Sequence, residues 1–132
     1  MKKHLKIGSL KIAYEENLAD GPPIVFVHGN SLSSGAFKYQ IQSAALSRYQ
    51  IFALDLPGHG ASDWSATPDK AYSLPGYAKV LSQFARELDI QNALFVGWSL
   101  GGHVVMEAIP QLSLASGFMV FGAPPLRKPP RL

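Results

Sequence analysis

A serine with a glycine two residues to either side, Gly97-Trp98-Ser99-Leu100-Gly101, and a further Gly102 behind it, is the chain's clearest candidate for covalent chemistry. A serine hydroxyl is a weak nucleophile until geometry and a base assist it, so its setting decides whether it is idle. Here Ala93 to Trp98 is a short apolar run of the kind that forms a buried strand, and residues 100 to 112 follow a helical pattern. Ser99 therefore falls where a strand must turn straight into a helix. Such a turn forces the residue into a strained backbone conformation and lifts its hydroxyl above the sheet. Glycine is required on both sides because a β-carbon there would meet the neighbouring strand and helix. At the start of a helix the free N–H groups and the dipole favour negative charge, so the N–H of Leu100 is expected where an oxyanion would form. The competing reading is a glycine-rich turn with an idle serine.

Two further stretches stand at the ends of apolar runs. His28-Gly29-Asn30 follows Ile24-Val25-Phe26-Val27, and Asp55-Leu56-Pro57-Gly58-His59-Gly60-Ala61-Ser62 follows Ile51-Phe52-Ala53-Leu54. A base for Ser99 is harder to find. His103 lies four residues on, about one helical turn, with its side chain expected along the helix flank in local packing. His59 reads as a loop-ordering residue, His4 lies in a leading hairpin, and Asp55 and Asp63 read as loop-fixing residues beside Gly-rich turns. With no cysteine there is no thiol nucleophile, disulfide framework or thiolate metal site. No His/carboxylate cluster has metal-ligand spacing and no Walker-type phosphate loop occurs, so neither metal nor cofactor is expected.

The elements that must position these residues alternate in type. Residues 4 to 16 read as two short strands in a hairpin about Gly8-Ser9, and Gly21-Pro22-Pro23 as a turn. Strands are expected over 24–27, 51–54, 93–98 and 118–121, all as buried apolar runs. Residues 34 to 48 carry a helical pattern, and 58 to 69 form a loop. Ser73 caps a helix whose apolar stripe is Tyr77, Val80, Leu81, Phe84 and Leu88. Strand alternating with helix behind a hairpin predicts an α/β domain, its sheet mostly parallel and covered by helices on both faces.

Composition narrows the rest. The 132 residues are one domain's worth; 47% are apolar and 16% charged, with mean hydropathy +0.07, which excludes disorder. The net charge of +3 sits at the ends. Between residues 12 and 126 five basic side chains face nine acidic ones, a net of −4, so no basic face for nucleic acid is expected. No apolar run nears 18 residues and the N-terminus lacks a signal core, so no membrane partner is expected and a cytoplasmic location is the default.

The three motifs, in this order and at this spacing, resemble the α/β-hydrolase family along the whole chain, among its branches the small serine esterases and related hydrolases with a cap domain. That resemblance implies Ser99 as nucleophile and the backbone N–H groups of Leu100 and Asn30 as an oxyanion hole. It makes His28 the family's structural histidine, with Trp98 lining an acyl pocket or packing under the elbow. The elbow is similar to that of carboxylesterases of pimeloyl methyl ester metabolism, and the implied partner is a small-molecule ester or acyl substrate. Asn30 also resembles the halide-binding Asn of haloalkane dehalogenases, but those use an aspartate nucleophile and position 99 is serine. The family takes its acid and base from later segments, and here no Asp or Glu follows Glu107 and no His follows His103. Residues 1–132 are thus expected to form the N-terminal part of a truncated hydrolase core, without cap or C-terminal strands, and nearly inactive alone. The bare edge at 118–121 is expected to drive self-association or poor solubility. Two alternatives stay open: a cofactor-free haloperoxidase-like or C–C bond hydrolase sharing the elbow, and a non-enzymatic interaction protein that keeps half a hydrolase sheet as a docking surface.

Overall fold

The computed structural model describes residues 1–125; Arg127, Lys128 and Arg131, the basic residues of the C-terminal stretch, lie outside them. Among the described residues six strands form one mixed sheet in the order β1-β2-β4-β3-β5-β6. β1 (Lys2–Ile7) and β2 (Leu10–Glu16) make the leading hairpin, turned at Gly8 with φ +59°. β2 then pairs antiparallel with β4 (Gln50–Leu54). β3 (Pro23–Val27) lies at the centre, parallel to β4 on one side and to β5 (Leu94–Trp98) on the other, and β6 (Gly117–Phe121) adds in parallel to β5.

Side-chain alternation divides the core into two layers. Val25, Val27, Phe52, Leu54 and Phe95 point to one face, where they pack under the helices. Ile24, Phe26, Ile51, Ala53 and Val96 point to the other, with Phe37 laid over them. α1 (Lys38–Ile41) and α2 (Pro68–Ala71) are single turns. α3 (Leu74–Glu87) is the long helix, and Ser73 caps it by accepting a hydrogen bond from the Gly76 N–H at 3.1 Å. It buries Tyr77, Ala78, Val80, Leu81, Phe84 and Ala85. α4 (Leu100–Ala108) leaves Ser99 and buries Val104, Val105 and Ala108 on the same face. No helix among the described residues is long and apolar enough to cross a membrane.

Two expectations need correction. The segment 34–48 is not one helix: a 3-10 turn (Ser34–Phe37), α1 and a second 3-10 turn (Ala44–Leu46) follow one another, broken where Ser43 turns extended at ψ 127°. Only Ser34 and Phe37 in these pieces are buried, so no continuous apolar stripe rewards a longer helix. The run at 118–121 does form a strand, but not a buried one. Phe118, Met119, Val120 and Phe121 are 38%, 54%, 40% and 46% exposed, because β6 ends the sheet and is paired on one side only among the described residues.

Candidate active site

The connection from β3 to β4 runs over the Phe37 face, whereas α4, leaving β5, packs on the opposite face. Between the carboxyl ends of β3 and β5 the chain therefore departs in opposite directions. An open parallel sheet forms its natural crevice at such a switch point, and His28-Gly29-Asn30 and Ser99 both stand there.

Ser99 has φ 54° and ψ −118°, outside the ordinary helical and strand regions, and α4 begins at the next residue. Its N–H still pairs with the Phe121 carbonyl at 2.9 Å, as a strand residue would, while its own carbonyl accepts from the Gly102 and His103 N–H groups at 2.9 and 3.3 Å, as a helix residue would. The residue is the hinge between two hydrogen-bonding regimes. The flanking glycines allow it: a β-carbon on Gly97 would sit 2.4 Å from the Gly101 carbonyl oxygen, and one on Gly101 would sit 2.1 Å from that of Val27. Both distances are far inside contact, so strand and helix can meet this closely only without side chains. The Leu100 N–H is the first of the helix and has no intrahelical partner to donate to. The Leu100 side chain packs against the helix-side core.

The Asn30 loop lies alongside. A β-carbon placed on Gly29 would be 3.4 Å from Ser99 Cβ, which fixes how near the two backbones run. Asn30 and Ser31 are exposed at the tip of a turn closed by the Leu32 N–H on the Gly29 carbonyl at 3.3 Å, with Ser31 at φ +60°. Trp98 points to the face opposite α4. It joins the Ile24/Phe26/Val96 cluster and stacks on Phe121, ring centroids 6.3 Å apart and planes 12° from parallel, so the structure gives it a packing role.

Two of the four histidines are tied to backbone atoms. His28 is fully buried, and its Nε2 accepts the Leu56 N–H at 3.0 Å, which leaves Nδ1 to donate to the Gly29 carbonyl at 2.7 Å. Burial pushes its imidazole below the ordinary value; the Gly29 hydrogen bond acts the other way and nearby His59 adds to the lowering. His28 is thus held neutral with both ring nitrogens occupied. His59 engages the Pro57 carbonyl at 3.0 Å through Nδ1. His103 lines a cleft between the start of α3, α4 and the segment after β6, with Leu74, Met106, Glu107 and Ala123 to Pro125, and His4 sits in β1 at the far edge of the sheet. Asp63 ties its loop to β2, accepting the Lys11 N–H at 2.9 Å. Among the described residues no three His, Cys, Asp or Glu side chains group to hold a metal ion.

Sequence reasoning missed Ser34, Ser62 and Lys2, all of which converge on Asp55. A serine at the end of the Gly-His-Gly-Ala-Ser run offered a faint signal for one of them. Lys2 and Ser34 carried none, since each reaches Asp55 only through the folded sheet.

Comparison with known proteins identifies the family. Residues 24–132 match the model of the alpha/beta hydrolase family. A pimeloyl-[acyl-carrier protein] methyl ester esterase of Xanthomonas oryzae pv. oryzae is 33% identical over 108 residues, 82% of this chain and 39% of that protein. A protein of Mycobacterium phage D29 named for non-heme haloperoxidase activity is 34% identical over 87 residues, 66% of this chain and 30% of that protein. Among solved structures, the N-acyl homoserine lactonase AidH, complexed with N-butanoyl homoserine, superposes with a TM-score of 0.91 at 36% identity, covering 96% of this chain and 46% of the lactonase. The chain thus spans less than half the length of each of these relatives.

Proposed function

This chain belongs to the alpha/beta hydrolase family, and from that premise we propose that Ser99 is the nucleophile of a carboxylic ester hydrolase, the N–H groups of Leu100 and Asn30 holding the oxyanion. The observation that carries the reading is the backbone of Ser99, a strained φ of 54° kept at a strand–helix junction that two glycines make possible. Strain of that kind costs about 1–3 kcal/mol and persists only where the surroundings enforce it. In the proposed reaction Ser99 Oγ bonds to the ester carbonyl carbon as its proton passes to a base. The alcohol then leaves with a proton, and water cleaves the acyl-serine to the acid and free Ser99. The substrate class is a small carboxylic ester, lactones included as cyclic esters.

The hydroxyl proton needs an acceptor. The ring hydrogen bonds of His28 and His59 go to backbone atoms, and His103 lines a cleft with Leu74, Met106 and Glu107. We therefore assign residues 1–132 to the N-terminal part of a hydrolase core domain, whose base and acid come from outside these residues, in a cytoplasmic setting. The test is acylation by p-nitrophenyl acetate: any protein-dependent p-nitrophenol release must vanish in Ser99→Ala. The identity with the phage protein favours a second reading, a cofactor-free haloperoxidase-like enzyme with the same elbow. Peroxide- and halide-dependent halogenation by the chain would favour it over ester hydrolysis.

The two sheet edges differ in a way that bears on partners. β1 carries Lys2, Lys3 and Lys6, charges that discourage strand addition, with Lys3 paired to Glu16 and Lys2 to Asp55. β6 carries no charge and exposes four large apolar side chains. Two copies of β6 would meet about a twofold axis with no charge to repel them, and a second copy of this chain is the partner we assign to that edge.

A further inference from the structure

Just past β4, Asp55 is a fully buried carboxylate that the ester chemistry does not use. Its Oδ1 accepts the Ser34 N–H at 2.7 Å; its Oδ2 accepts the Ala61 N–H at 2.9 Å and stands 3.5 Å from Lys2 Nζ. The backbone wraps it so closely that a β-carbon on Gly60, at φ +51°, would lie 2.3 Å from Oδ2. Behind it, Ser62 Oγ donates to the Asp55 carbonyl at 2.6 Å and accepts the Ala13 N–H at 2.8 Å, anchoring the group to β2. The next residue along, Leu56, donates its N–H to His28. Two consecutive residues thus grip both ends of the segment 28–34, His28 at its start and Ser34 at its end. Between those grips lie the exposed Asn30 and Ser31, with one 3.3 Å turn bond of their own. A short exposed turn has little local stability and takes its course from its anchors.

We propose that Asp55 is the positioning residue of the Asn30 loop, its ionised carboxylate fixing through the Ser34 N–H where the Asn30 N–H stands relative to Ser99. This rests on the reading of Asn30 as an oxyanion donor. A carboxylate suits the task because it only accepts, whereas an asparagine amide would turn a donor toward one of the two N–H groups. The charged and titratable groups about it are Lys2 from β1, His28 from the end of β3 and His59 beyond His28. Burial alone would push its carboxyl up, but the Ala61 and Ser34 N–H groups, with Lys2, outweigh burial and hold it below the usual carboxylate range.

Two variants of the full chain test the proposal. Asp55→Asn removes the charge. Ser34→Pro leaves the charge and removes the donated N–H together with the buried Ser34 hydroxyl, which also reaches Asp55, at the first position of a 3-10 turn where proline is otherwise well accommodated. In both, labelling of Ser99 by a fluorophosphonate is expected to slow by about 10- to 100-fold, in line with a misplaced oxyanion donor, with the half-saturating probe concentration unchanged. Amide hydrogen exchange at Asn30 and Ser31 is expected to quicken by roughly 10-fold or more while Gly97 in β5 keeps its protection. In the parent chain the Asn30 amide resonance should shift with the titration of Asp55, and that shift should be absent in Asp55→Asn. A folded Ser34→Pro chain whose Asn30 exchange and Ser99 labelling match the parent's would overturn the proposal. If the parent is not labelled at Ser99, the nucleophile reading falls, and exchange at Asn30 still decides whether Asp55 holds the loop.

Discussion

Replacing Gly101 by alanine puts the elbow's packing to a quantitative test. The added β-carbon would lie 2.1 Å from the Val27 carbonyl oxygen and 2.6 Å from that of His28. Both are backbone atoms of the central strand and the residue after it, so neither can swing aside as a flexible side chain could. Relief requires α4 to lift from β3 by on the order of 1 Å, opening the packing of Val104 and Val105. Overpacking of this kind costs about 1–3 kcal/mol and occasionally more, and the gain from a better helix former returns about 0.5–1 kcal/mol. The net expectation is a loss of about 1 kcal/mol, which for a chain of this size lowers Tm by roughly 3–5 °C. Thermal and urea unfolding followed by circular dichroism measure it. Gly117→Ala is the control, since a β-carbon there meets only Leu94 Cδ1 at an ordinary 3.6 Å. A Gly101→Ala chain as stable as Gly117→Ala would refute the close strand–helix approach on which the elbow depends.

Further outcomes follow from the site and the sheet edge. His28 has a folded pKa below its ordinary 6.5, so the unfolded chain takes up the proton first; stability should begin to fall as pH drops below about 6.5. Asp55 is likewise held below its ordinary 3.8, so its contribution is present above that value and lost as pH falls further, a limb that Asp55→Asn should flatten in acid titrations of stability. With base and acid proposed to come from outside residues 1–132, these residues alone should show no sustained turnover of p-nitrophenyl acetate, since removing both costs a serine hydrolase on the order of a million-fold; turnover abolished by His103→Ala would promote His103 to the base. Sedimentation should detect association of the chain that Met119→Lys in β6 disperses, whereas a stable monomer at high concentration would remove the second copy from that edge.

The elbow was legible because its chemistry is local. Two glycines about Ser99, a short apolar run before it and a helical pattern after it suffice to predict a sharp strand-to-helix turn, and the clashes at Gly97 and Gly101 are the physical content of that pattern. The parallel strands were legible for a similar reason: Ile24–Val27 and Ile51–Leu54 are covered on both faces and so read as unbroken apolar runs. The 34–48 segment misled because Phe37, Ile41, Ala44 and Ala45 carry a helical period, yet only Phe37 among them is buried, with Ile41 packed partly against the same cluster. The run at 118–121 reads by itself as a buried strand, and its exposure was expected only through the family resemblance, which sets a further strand beside it. The grip of Asp55 on Ser34, and its pairing with Lys2 across 53 positions of sequence, depends on loops meeting in space and left no local pattern.

The central claim, that the fold activates Ser99 in particular, is tested most directly by fluorophosphonate labelling of the 132-residue chain followed by peptide mass spectrometry. A slow, single adduct is expected on the peptide containing Ser99, absent in Ser99→Ala and lost when the chain is unfolded in urea. No adduct at Ser99, or adducts spread over several serines and undiminished by unfolding, would contradict it.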